Sequence, residues 1–180
     1  MGFIPPRRVF VSYAHSDNES ADPNQRWLDR LLEMIAPLHM MKEVGIWTDK
    51  DLNAGDKWKS NLESVINTAE VAVLLVSPAY LASKFIRESE LPTLLYRSQM
   101  GTHSVDIIPV VLRHCMYSEA AFLYQRPDGE KETVSLDVFQ SINSPDEPLE
   151  SLSRNQQDLT LLALARRMYA AYKAKAPVLR

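Results

Sequence analysis

Short apolar runs alternate along this chain with longer stretches whose apolar residues recur every three or four positions. That alternation predicts strands and helices in turn, hence a parallel sheet covered on both faces. Val9-Phe10-Val11 is the first strand and opens into a polar turn over 12–17. A helix is expected from about Pro23 to Leu38, capped by Asp22, with Trp27, Leu28, Leu31, Met34, Ile35 and Leu38 as its buried stripe. A short strand over Val44–Trp47 leads into the acidic loop 48–56. There Asp56 caps a helix that buries Trp58, Leu62, Val65 and Ile66.

Val71–Val76 is apolar at every position, as befits a central parallel strand buried on both faces. Ser77-Pro78 starts a helix, and a second helical stretch covers about Lys84 to Gln99. The next strand, Asp106–Leu112, contains Pro109, so a defect in its hydrogen-bond ladder is expected. Segment 113–154 is less regular, with turns at 126–129 and 143–146 and room for a short edge strand. The last helix, about Asn155–Lys175, has Leu161, Leu164, Ala165, Met168 and Tyr172 as its stripe.

The pattern is a flavodoxin-like α/β fold, an open sheet of about five parallel strands with helices on both faces. It occupies one domain over 1–180, with its core at about 7–172. Ligands of such sheets sit beyond the carboxyl ends of the strands, which directs attention to loops 12–22, 48–56 and 77–90.

Composition narrows the chemistry. Net charge is −3 over 180 residues, and the basic residues are scattered, so no nucleic-acid partner is expected. Cys115 is the only cysteine, which excludes an intramolecular disulfide and fits a reducing, cytoplasmic location. No apolar run reaches the roughly 20 residues of a membrane span. MGFIPPRR lacks the apolar stretch of a secretory signal, and Pro6 stands where myristoylation needs Ser or Thr. His15, His39, His103 and His114 show no metal-ligand spacing, so no metal is expected. With five glycines and no Gly-rich fingerprint, the chain is no dinucleotide-dependent dehydrogenase.

Several segments, in order, resemble the TIR (Toll/interleukin-1 receptor) domain family. VFVSYAHSD (9–17) is similar to its first strand and loop. GIWTDKDLNAGDKWKSNLESVINTAEVAVLLVSPAYLAS (45–83) is similar to the block that follows, and FIRESELPTLL (85–95) to the helix bearing the glutamate of enzymatic members. IIPVVL (107–112), Phe139-Gln140 and Pro148-Leu149 fit bacterial members. The resemblance implies either a module that recruits other TIR domains or an enzyme cleaving NAD⁺ to nicotinamide and linear or cyclic ADP-ribose. In bacteria such enzymes serve anti-phage defence, activated when a fused or separate sensor drives self-assembly into oligomers or filaments. NAD⁺ would be substrate, with no cofactor.

Cleavage of the nicotinamide–ribose bond develops oxocarbenium character on the ribose, which one nearby carboxylate can stabilise. Glu90, preceding Leu91 in the family's Glu-Leu pattern, is the expected catalytic residue; Glu88 is its rival on another face of the helix. The substrate-binding candidates are Phe10, Ser12, Tyr13, Asp49, Ser83 and Phe85. Phe10 is expected to face the core, and Ser12 and Tyr13 to meet the dinucleotide. Asp49 or Asp51 is placed at a ribose hydroxyl. Phe85 has two readings, a core anchor or a ring packed near nicotinamide. A nucleoside deoxyribosyltransferase-like enzyme is a third functional reading, opposed by the block at 45–83.

Overall fold

The computed structural model describes residues 8–40, 44–48 and 58–175. Four parallel strands form its sheet in the order β2-β1-β3-β4. They are β1 (Val9–Tyr13), β2 (Ile46–Thr48), β3 (Val71–Val76) and β4 (Asp106–Val111). The helices are α1 (Trp27–Met40), α2 (Trp58–Thr68), α3 (Pro78–Ala82), α4 (Leu91–Ser98) and α5 (Arg154–Lys175). This is the expected flavodoxin-like α/β architecture.

Strand alternation splits the core in two. Val9, Val11 and Tyr13 pack with Val71, Val73 and Leu75 against α1 and α5. Phe10, Ala72, Leu74 and Val76 face Leu62 and Ile66 of α2 and Leu91, Leu94 and Leu95 of α4. All six residues of β3 are therefore buried. Each such Val or Leu contributes on the order of 1.5–3 kcal/mol. The aliphatic stripes foreseen for α1, α2 and α5 point inward; the side chains of Trp58 and Tyr172 lie outside the described residues, as does the cap expected of Asp56.

Three details depart from expectation. First, β1 continues through Ser12 and Tyr13, because β3 pairs with it as far as Leu75. Second, the Asp22 cap serves only a short 3₁₀ turn, Pro23–Gln25; α1 begins at Trp27. Third, the β3–β4 register runs unbroken through Leu74 and Pro109. The carbonyl of Pro109 accepts a bond from Ile142 N–H on the outer edge, so the missing donor also faces outward, away from the ladder.

That outer edge is covered without a fifth parallel strand among the described residues. Asn143 receives Val111 N–H on Oδ1 at 3.0 Å and donates Nδ2 to the Val111 carbonyl at 2.9 Å. One side chain thus does what a neighbouring strand would do for that residue. The intervening residues instead form an antiparallel hairpin, β5 (Phe122–Gln125) and β6 (Lys131–Val134). The expected turn at 126–129 joins them, and Gly129 adopts φ 90°. Phe122 and Tyr124 face inward toward the cluster containing α4, while Leu123 is exposed.

Candidate active site

Three buried polar side chains, from Ser12, Tyr80 and Glu90, meet at the carboxyl ends of β1 and β3. Ser12, two residues after Phe10, shares its face and so faces the α2–α4 side of the sheet; it is 1% exposed. At the end of β3, Ser77 leaves the strand and caps α3, accepting Tyr80 N–H at 3.0 Å. Pro78 supplies a first helical position that needs no donor. This short helix turns Tyr80 inward, where it is completely buried. Ser12 Oγ lies 3.1 Å from Tyr80 Oη and donates a short hydrogen bond to Glu90 Oε2. Glu90 is 3% exposed. Burial, and after it the negative charge of Glu90, raises the Tyr80 phenol well above its ordinary range, against the opposing hydrogen bond with Ser12.

Glu90 reaches this position through a π-helical turn, Ile86–Glu90, which runs directly into α4. Leu91 N–H bonds to the carbonyl of Ile86, five residues back. Pro92 accounts for the widening. It has no N–H for the carbonyl of Glu88, and in an α-helix its ring would strike that carbonyl. A π-turn accommodates the surplus residue. Residues five apart, about 140° around an α-helix, come into line in such a turn, so Phe85 precedes Glu90 by one turn. Phe85 is half-buried against the core beside Ile86. Glu88 is exposed; the two glutamates point to different environments.

Of the other candidates, Phe10 is a fully buried core residue whose ring lies 5.5 Å from that of Trp47. Tyr13 does not join Ser12: the pleat carries it to the opposite face, where it is buried in the α1–α5 core with His15 against its ring. Ser83 accepts Ile86 N–H at 3.3 Å, which makes it the local cap of the helix leading to Glu90. Asp49, Asp51 and Gly55 lie outside the described residues.

Sequence reasoning missed Tyr80 and a second buried group. Asp17 follows β1; its Oδ2 accepts a short bond from Ser77 and its Oδ1 a 3.1 Å bond from Arg113. Arg113, just past β4, also lies 3.8 Å from Glu150. Burial raises the Asp17 carboxyl, and its bonds from Ser77 and Arg113 oppose that rise. The pair ties together the ends of β1, β3 and β4. The available signal was Ser77 itself, a cap residue three positions before a tyrosine and within reach of the β1 loop.

A family model described as a TIR domain matches residues 9–153. The chain is also 29% identical over 117 residues to an uncharacterised protein, y4lF, of Sinorhizobium fredii (strain NBRC 101917 / NGR234). That match covers 63% of this chain and 32% of the relative, so the chain spans about a third of that protein's length.

Proposed function

This chain belongs to the TIR domain family, and we propose that it is an NAD⁺ glycohydrolase in which Glu90 stabilises the ribosyl cation as nicotinamide leaves. The observation that carries the reading is a desolvated glutamate held by a hydroxyl at the strand ends. That is where ligands of open α/β sheets bind. Away from water a carboxylate attracts an oxocarbenium ion more strongly than it would at the surface. Nicotinamide departs neutral, so a single carboxylate suffices and no general acid is required. Phe85, one turn before Glu90, is the candidate to pack beside the nicotinamide ring; Asp49 keeps its proposed place at a ribose hydroxyl.

The biological setting that fits is a bacterial immune effector switched on by self-assembly, with linear or cyclic ADP-ribose as product. The test is nicotinamide release from NAD⁺ across a series of protein concentrations. Release equal to the NAD⁺ lost, with a rate rising more steeply than linearly in protein, is the expected result. Absence of release at every concentration, crowded or not, favours instead a non-catalytic module that recruits other TIR domains.

A further inference from the structure

We infer that Tyr80 is a positioning residue of this site, its phenol orienting the Glu90 carboxylate through the Ser12 hydroxyl. The kinetic consequence rests on the NAD⁺-cleavage reading; the geometry does not.

Ser12 has one hydroxyl proton and two partners, Glu90 Oε2 and Tyr80 Oη. A carboxylate is the stronger acceptor, so the Ser12 proton goes to Glu90. Tyr80 keeps its own proton, since burial and the Glu90 charge oppose its loss. The phenol therefore donates to Ser12 Oγ, and the relay has one direction, Tyr80 to Ser12 to Glu90. Each donated bond polarises the next in a site where the three side chains are 0, 1 and 3% exposed and water does not compete.

The far end of the relay is equally fixed. Tyr80 N–H is held by Ser77 Oγ, whose proton goes to Asp17, which Arg113 holds in turn. The backbone that carries the phenol is thus tied to the ends of three strands. This assignment changes the part expected of Ser12: its proton is committed to Glu90, and it acts on the carboxylate instead of donating to substrate.

Tyr80→Phe keeps the ring and removes only Oη, so it tests the relay in the intact chain. With NAD⁺ as substrate, kcat is expected to fall about tenfold, as befits one hydrogen bond in a charge-assisted chain, with KM within about twofold. The second readout is isotope-edited infrared spectroscopy of protein labelled with ¹³C-glutamate, taken as a difference against Glu90→Gln. The antisymmetric carboxylate stretch of Glu90 is expected to shift in Tyr80→Phe, and in the same sense in Ser12→Ala. An unmoved band overturns the inference, whatever the rate does. If the wild type turns over no NAD⁺, the catalytic reading of Glu90 fails while the band still decides the positioning.

Discussion

Asp17 is an aspartate buried at the end of β1 with a serine and an arginine as partners, and its carboxyl is raised above the ordinary 3.8. Its stabilising contribution is therefore fully present below the unfolded-state value and is lost as pH rises through the folded one. Asp17→Asn removes that titration. The melting temperature of wild type relative to Asp17→Asn is expected to be highest below the ordinary 3.8 and to decline as pH rises toward neutrality; a difference that grows with pH would contradict the burial argument. At this scale the sequence was legible where a residue's place is signalled by its neighbours in the chain. Glu90 was singled out by the Glu-Leu pattern beside Leu91, and Phe10, although also named as a substrate contact, read as core from its strand. Tyr80 and Asp17 did not, because each depends on a partner about 60 or more residues away. Ser12 and Tyr13 were grouped because they are adjacent, yet the pleat of a strand sends adjacent side chains to opposite faces.

The helix bearing Glu90 shows what periodicity leaves out. The sequence predicts a helical stretch over about Lys84–Gln99, and one is there, but Pro92 lies inside it and the chain widens into a π-turn to pass it. A proline within a helix costs about 3 kcal/mol. Deleting Glu88 removes the surplus residue, and Pro92→Ala restores the missing donor. The combined variant is expected to form an uninterrupted α-helix, with its melting temperature and far-ultraviolet helical signal at least equal to wild type. Marked destabilisation would mean that the π-turn is required by packing and not imposed by Pro92. The strands were clearer: six apolar residues in succession at 71–76 permit little else than a central strand. The edge was obscure. Asn143 covers Val111 with its side chain, and no hydrophobic pattern announces such a bond.

Across the whole molecule, the sheet divides two cores, and the candidate chemistry lies at the carboxyl end of the strands on one of its faces. Arg30, buried in α1, stacks over Trp27 and donates to Gln157 and to Asp158 at 2.8 Å, clasping α1 to α5 behind that face. A cavity of about 860 Å³ at the opposite end of the sheet is lined by Arg8, Glu70 and Arg97. Arg97 there donates to the carbonyls of Ile66, Ala69 and His103, tying the end of α2 to the turn that follows α4. No described helix is long and apolar enough to cross a membrane. Fold class followed from the alternation of elements, whereas the convergence of Ser12, Tyr80 and Glu90 required the crossings between strands to be known.

The most direct measurement is the rate of NAD⁺ cleavage by wild type, Glu90→Gln and Glu88→Gln, each confirmed as folded and assayed at one high concentration. The account predicts that Glu90→Gln loses at least about two orders of magnitude, the cost of removing a preorganised transition-state contact, while exposed Glu88→Gln keeps wild-type activity. Cleavage that survives in Glu90→Gln, or vanishes in Glu88→Gln, would contradict the central claim that the buried carboxylate performs the chemistry.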